Sequence, residues 1–537
     1  MCQITHHGAG AERAAGLEHG AAHDDDHDAW TRRDFLVRSG LAAAGASVLF
    51  GSGPAHAAAR HRQPGLVGQL AALQTDRVLV LVQLQGGNDG LNTVVPVGND
   101  LYYNARPQVA LAKGQTWRLS DDYGMHPALR PLERMWGDGH MGVVHSVGYP
   151  NQSLSHFEGI DVWASSRTEN ARTGWTAEAV ARLGVTPQAP PSVQVGASYP
   201  LLLRGPDDVG GMTLTDPGML DRIVSTGELY GTDGLPDTPY GRALGHVRRT
   251  ANDADTYAGA MSAAAGGVQN AAEYPDTTFG RSLAAVARLV KGRLDTRVYL
   301  VRLGSFDTHA GQLDQHHKLL DVLGRSLAAF YADLGDSGDA GRTLTMTFSE
   351  FGRRVNQNGS AGTDHGAAAP VFLFGPAVQG GFHGAGPDLA GVDRSGNLPV
   401  STDFRSVYRT VLGSWLGLGD DASAAILGGT YDPLDVLAAR ATSVDETGAV
   451  QALELLPPAP NPVRTRTVVA FSTGPADHAE LALFDTTGRR VVTVAEGAFG
   501  PGRQTATLDA AGLAAGVYVL RLRTASGVRA QTLTVVR

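Results

Sequence analysis

Two short segments carry side chains able to bind a metal: Asp307 and His309, separated only by Thr308, and the adjacent pair Asp364 and His365. Carboxylate and neutral imidazole together are the donor mix that suits zinc and related divalent ions. In an extended chain, residues two apart point to the same side, so Asp307 and His309 can reach one ion. Adjacent ligands need an irregular backbone, and Gly359, Gly362 and Gly366 supply that freedom around Asp364 and His365. Asp89 stands in the turn Gly86-Gly87-Asn88-Asp89-Gly90, where an ordinary Asn-Asp-Gly turn is the competing reading. His383 lies in another glycine-rich loop, Gly380-Gly381-Phe382-His383-Gly384, and is a further candidate ligand.

A nucleophile is suggested by Asn151-Gln152-Ser153-Leu154-Ser155-His156-Phe157-Glu158. Ser155 with Glu158 three residues on forms a capping box for a helix starting at His156. The same position sets the Ser155 oxygen beside the positive end of the helix dipole. A metal there could hold it as an alkoxide for attack on phosphorus or sulfur, with Ser153 as a rival. Glu350, in Ser349-Glu350-Phe351-Gly352-Arg353, reads as a ligand, a carboxylate supporting a ligand, or a partner for Arg353. Asn88, Asn92 and Arg353 are candidates to contact ester oxygens, and His316 and His317 belong to the following helix as surface or supporting groups.

The elements that must position these residues are legible as periodicity. Residues 77–85 (RVLVLVQLQ), 141–147, 297–303, 343–348 and 370–374 are continuous apolar runs of strand length, typical of strands buried on both faces. Helical patterns lie between them, at 128–136 and at 315–334, where Leu319, Leu320, Leu323, Leu327, Phe330 and Leu334 fall at helical spacing. Strands alternating with helices predict an α/β domain with a mostly parallel sheet, whose ligands bind beyond the carboxyl ends of the strands. Residues 205–275, rich in Gly, Ala, Asp and Thr, read as an insertion or cap. After a linker at 441–456, short alternating runs at 467–472, 479–485, 490–495, 504–508, 516–524 and 530–536 predict a small all-β, Ig-like sandwich over 457–537.

The chain has 537 residues, 42% hydrophobic and 18% charged, with net charge −9, which predicts a largely globular, mildly acidic protein. The lack of a long Lys/Arg cluster argues against a nucleic-acid partner. Residues 1–30 read as a disordered, His- and Asp-rich leader that is removed. Thr31-Arg32-Arg33-Asp34-Phe35-Leu36, the weakly apolar run 41–50 and Ala55-His56-Ala57 read as a twin-arginine signal over 31–57, calling for the twin-arginine translocase. The run is too short to span a bilayer, so no transmembrane span is expected in the mature chain. Residues 58–74 are a linker, and the one cysteine, Cys2, lies in the segment to be removed.

Residues about 75 to 440 resemble an exported family known as domain of unknown function 1501, placed in the alkaline phosphatase/sulfatase superfamily. The resemblance is carried by Gly86-Gly87-Asn88-Asp89-Gly90, Ser155-His156-Phe157, Phe306-Asp307-Thr308-His309, Ser349-Glu350-Phe351-Gly352-Arg353, Asp364-His365 and Asp403-Phe404-Arg405-Ser406-Val407-Tyr408. It implies an alkaline-phosphatase-like domain holding two divalent ions: zinc first, with magnesium, manganese or calcium as the other choices. One ion would sit with Asp89, Ser155, Asp364 and His365, the other with Asp307, His309 and His383. Within 457–537, Pro460-Asn461-Pro462, Leu483-Phe484-Asp485-Thr486-Thr487-Gly488 and Leu513-Ala514-Ala515-Gly516-Val517-Tyr518 resemble the type A sorting domain of type IX secretion substrates. That implies periplasmic transit, the type IX machinery as a partner, and a secreted or surface-attached product.

The expected activity is hydrolysis of a phosphate or sulfate ester, small-molecule or polysaccharide, with Ser155 as nucleophile. No Cys-x-Pro-x-Arg signature for an oxidised sulfatase nucleophile is present. The alternative is a non-catalytic surface or secreted binding protein that keeps the fold.

Overall fold

The structure is a computed structural model. It describes residues 48–50; 76–438 apart from 170–171, 184–187, 197, 207–210, 222–226 and 228–229; and 454–536 apart from 457, 459–460, 473–476, 486–488, 500–502 and 525–526. The expected leader, signal and first linker therefore lie outside the described residues except for 48–50. The chain divides into two compact units at Ala439/Arg440, where the composition changes.

The first unit is built on a ten-stranded sheet. Its strands are β1 (Val48–Phe50), β2 (Val78–Leu84), β3 (Met141–Gly148), β4 (Ser192–Val195), β5 (Met212–Leu214), β6 (Val298–Leu303), β7 (Thr343–Phe348), β10 (Ala369–Phe374), β11 (Gly381–His383) and β12 (Thr402–Asp403). A hairpin, β8 (Gly352–Gln357) with β9 (Thr363–Gly366), stands apart between β7 and β10. The sheet order is β1-β5-β4-β6-β2-β7-β10-β3-β11, with β12 also paired to β3. β5, β4, β6, β2 and β7 form a continuous parallel run. β10 lies antiparallel to both its neighbours, so the sheet is mixed but mostly parallel, as expected.

The apolar runs become strands because both faces of the sheet are covered. Val80 and Val82 on β2 join a core with residues of three helices: α2 (Pro239–Gly266), α3 (Thr278–Lys291) and α4 (Gln312–Ser337). Leu79 and Leu81, pointing the other way, join a second core with Val162 and Trp163 of α1 (His156–Ser165) and with Phe404, Tyr408 and Trp415. Each such Val or Leu contributes about 1.5–3 kcal/mol on full burial. α4 buries Leu320, Leu323, Leu327, Phe330 and Leu334, and it stops at Gly338, whose φ of 77° is the left-handed conformation common at helix ends.

Residues 205–275 differ from the expected insertion. Met212–Leu214 is a strand of the main sheet, and α2 sends Ala258, Met261, Ala264 and Ala265 into the core. Small alanines pack this helix closely without leaving a strong apolar period. The expected helix at 128–136 begins as a 3-10 turn, Pro127–Leu132, containing Pro131, and becomes α-helical only over Glu133–Gly137. Among the described residues, no helix is long and apolar enough to cross a membrane.

The second unit is all-β. A three-stranded sheet contains Glu454–Leu455, Arg466–Ser472 and Arg503–Asp509. A four-stranded sheet contains Asp477–Phe484, Arg490–Phe499, Gly516–Thr524 and Gly527–Val535. All pairings between these strands are antiparallel. Alternate residues such as Val469, Phe471, Leu481, Leu483, Leu520 and Leu522 fill one core, the arrangement of a sandwich.

Candidate metal centre

The site forms where the loops after β2 and β6 touch. Gly86 and Gly87 have φ of 120° and 82°. A Cβ on Gly86 would lie 2.4 Å from the Asp307 amide nitrogen, so only glycine allows this approach. The Phe306 N–H donates to the Gln85 carbonyl at 3.1 Å. Arg353, fully buried on β8, locks the junction. Its guanidinium donates to the carbonyls of Gly86, Gly87 (2.8 Å), Phe306 (3.0 Å) and Thr363 (2.7 Å), and to Asp307 Oδ1 at 2.6 Å.

Around Asp307 stand three imidazoles. His309 Nε2 lies 3.1 Å and His365 Nε2 lies 3.0 Å from Asp307 Oδ1. His156 Nε2 lies 3.6 Å from Asp307 Oδ2. His309 Nε2 and His365 Nε2 are 3.0 Å apart. The opposite nitrogen of each ring faces an atom that can only accept: Asp364 Oδ1 at 3.1 Å for His309, the Leu154 carbonyl at 2.9 Å for His365, and Glu350 Oε1 at 2.8 Å for His156. In the neutral rings each Nδ1 therefore carries the proton, and each Nε2 presents its lone pair towards Asp307. Two lone pairs facing each other and a carboxylate oxygen at 3.0 to 3.1 Å repel unless a cation lies among them. Tetrahedral zinc with bonds of 2.0–2.1 Å would set its ligand atoms about 3.3 Å apart, close to this triangle. The residues thus fit a divalent ion, and the acceptors behind each ring are the outer contacts that orient metal-bound histidines.

The electrostatics agree. Burial raises the Asp307 carboxyl, but the hydrogen bond from Arg353 and the charge of that guanidinium, with the neighbouring histidines, outweigh it and hold the pKa at about 2. The Asn358 amide, then His309, keep the Asp364 carboxyl below its usual value against a smaller opposing effect of burial. Both acids are ionised near neutrality.

Of the six expected ligands, Asp307, His309, Asp364 and His365 come together here, and Asp89 and His383 do not. Asp89 is buried: it caps the short helix Gly90–Thr93, accepts from Gln312, and pairs with Arg106 at 2.6 Å. Its carboxylate is spent on Arg106, correcting its placement beside Asp364 and His365. His383 is a second correction. It sits on β11, five strand positions from β6 in the sheet order, a lateral distance of roughly 24 Å at 4.8 Å per strand. Its Nε2 donates to the Gln379 carbonyl at 2.7 Å.

Asn88 and Asn92 are buried too. Asn88 Oδ1 accepts from Thr93 at 3.1 Å and faces His316 Nε2 at 3.0 Å, and Asn92 Oδ1 accepts from Tyr102 at 2.9 Å and Arg106 at 2.7 Å. With Arg353 they hold loops in place and are closed to ester oxygens. His316 is buried rather than superficial. Glu350 supports the site by accepting from the Gly86 N–H at 2.8 Å and from His156. Helix α1 starts at His156 as expected, but the capping box is absent. The Ser155 side chain makes no capping bond, and Ser153 instead donates to Glu158 at 2.8 Å. Ser155 is exposed, between Leu154, whose carbonyl holds His365, and His156.

His156 escaped the sequence reading, although it follows the serine singled out as nucleophile. Among the described residues, one group of three or more side chains with His, Cys, Asp or Glu donors within metal-holding distance is found, and it is His156, Asp307 and His365.

Residues 240–427 match the model of a family described as a protein of unknown function, DUF1501. Residues 459–536 match a secretion system C-terminal sorting domain, which marks a secreted or cell-surface protein. The first match is shorter than the expected 75–440 and leaves out Asp89 and Ser155. No curated protein matches by sequence. Similar solved structures include the lipoteichoic acid synthase LtaP from Listeria monocytogenes (10% identity, 86% of this chain and 93% of that one, TM-score 0.30). Others are the PsFucS1 sulfatase from Pseudoalteromonas sp. (10%, 82% and 88%, 0.30) and a protein in the alkaline phosphatase superfamily from Vibrio parahaemolyticus (8%, 81% and 80%, 0.31).

Proposed function

We propose that this chain, whose DUF1501 segment supplies Asp307, His309, Glu350, Arg353, Asp364 and His365, is an exported metal-dependent hydrolase of phosphate or sulfate esters. The reading is carried by the convergence of three histidine Nε2 atoms on one carboxylate, each ring held from behind by an acceptor. Asp307, His309 and His365 would hold the ion, with His156 at the remaining side. When bound there, a divalent ion such as zinc supplies Lewis acidity towards an ester oxygen.

The chain's own groups supply the rest. Asp364 and the Leu154 carbonyl keep the Nδ1 protons of His309 and His365 in place. Arg353 fixes Asp307 in one orientation. Glu350 holds the Nδ1 proton of His156, so that its Nε2 can take a proton from a hydroxyl entering beside Asp307. Ser155, exposed and directly before His156 at the start of α1, is the proposed nucleophile. Asp89 and His383 take no part, so the reading calls for about one ion per chain rather than two.

The test is elemental analysis of protein purified without chelator, with turnover of aryl phosphate and aryl sulfate by wild type and Ser155→Ala. About one ion per chain in both forms, with turnover lost in the variant, supports the reading. No metal after reconstitution would sink it and leave the non-catalytic binding protein. Full turnover in the variant would remove Ser155 as nucleophile.

A further inference from the structure

The sheet face that carries α1 changes character at the carboxyl ends of three adjoining strands. One row is apolar: Leu300 on β6 is level with Leu81 on β2, which is level with Met346 on β7. Two residues on, the row reads Arg302, Gln83 and Phe348. These three line a cleft of about 220 Å³, together with Ile160 and Ala164 of α1 and residues of the 198–202 loop. Ile160 and Ala164 lie one and two turns beyond His156 on the same helix face, so the cleft starts from the metal-centre end of α1.

Arg302 is the group that needs explaining. Among the described residues it makes no ion pair. Its Nη1 donates to Ser198 Oγ at 3.0 Å, a neutral acceptor, and its Nε is buried without a partner. Burial pulls its pKa below the ordinary value, but a guanidinium keeps its charge in a protein. A cation partly withdrawn from water without a counter-charge carries a desolvation cost, and an anion entering the cleft offsets that cost. Gln83, beside it and buried, adds a side-chain amide that can donate to the same oxygen atoms.

We propose that this cleft binds an acidic group on the part of the substrate remote from the ester being cleaved, which makes the substrate a multiply anionic ester such as an acidic or sulfated saccharide. This rests on the hydrolase reading for the word substrate, but the binding itself does not require turnover. Phe348, Ile160 and Ala164 would cover the apolar side of the bound group, and the Arg302 fork would take two oxygens of a carboxylate or sulfate.

The test is calorimetric titration of the metal-loaded full chain with glucuronate, glucose 6-sulfate and glucose, for wild type, Arg302→Gln and Arg302→Lys. Both acids, or one of them, should bind wild type at least tenfold more tightly than glucose. Arg302→Gln should lose tenfold or more, and Arg302→Lys should recover part of it. Melting should stay level or rise in Arg302→Gln, because a partly buried charge without a counter-charge is removed, whereas a purely structural arginine would lower it. Preference between the two acids identifies the group as carboxylate or sulfate. Acids that bind no better than glucose, or as well to Arg302→Gln, overturn the proposal even if the protein hydrolyses esters. Acid binding lost in Arg302→Gln in a protein that hydrolyses nothing leaves it standing and sinks the hydrolase reading alone.

Discussion

Asp364 offers a sharp test of the proposed metal centre because it touches a proposed ligand without being one of the three in the tight triangle. Its Oδ1 accepts from His309 Nδ1 at 3.1 Å and from Asn358 Nδ2 at 3.1 Å, and 45% of its side chain is exposed. Replacing it by alanine leaves a hole that water fills, so folding stability without metal should move by no more than about 0.5 kcal/mol. Metal affinity should fall further. Loss of the carboxylate behind a metal-bound histidine typically weakens binding 10- to 100-fold, or about 1.4–2.7 kcal/mol. His309→Ala removes the donor itself and should cost more. The assay is competition with a chromophoric chelator at pH 7, with chemical denaturation of the metal-free proteins alongside. Equal affinity in wild type and Asp364→Ala would refute the supporting role. A larger loss in Asp364→Ala than in His309→Ala would reverse the assignment of ligand and support.

Two further outcomes concern the buried framework. Arg106→Ala strips the counter-ion from Asp89 inside the core, where both side chains are essentially unexposed; a loss of about 3–5 kcal/mol in urea unfolding is expected, and a loss under 1 kcal/mol would contradict the pairing. Burial is the largest influence on His316 and lowers its pKa to about 4, against an opposing pull from Asp89. A depressed histidine stabilises the fold fully above its unfolded pKa of about 6.5, and that contribution is lost as pH falls through about 6.5 towards 4. His126, whose ring meets the His316 ring edge-on and whose pKa burial lowers to about 3, acts in the same direction. Unfolding free energy should therefore drop over that window, and His316→Gln should flatten the drop; an unchanged slope would argue against a neutral buried imidazole.

The strands of the first unit were legible because a strand buried on both faces must be apolar at every position. Residues 343–348 coincide with β7, and 77–85 overshoot β2 by one residue at each end. β4 and β5 were missed because strands of four and three residues leave too little pattern. The pairs Asp307/His309 and Asp364/His365 were legible because donor types cluster after strands. Asp89 looked identical on paper; what separates it is Arg106, 17 residues later, whose return no local pattern announces. His383 could not be placed without the sheet order. His156 depends on a contact with Glu350 across 194 residues, which periodicity cannot reveal.

The convergence on Asp307 also has a mechanical side. Leu154 and His365 are 211 residues apart in the chain yet in direct contact, and His309 enters from a third segment. The only cysteine is Cys2, so this chain cannot cross-link itself through sulfur. An ion held by Asp307, His309 and His365 would act as its staple, closing the loop of 58 residues between Asp307 and His365. By the loop-entropy relation for covalent links this is a constraint on the order of 4 kcal/mol on the unfolded chain. Outside the cell, chelators and acid would then be the agents that loosen the molecule, in the way reductants loosen a disulfide-bonded one.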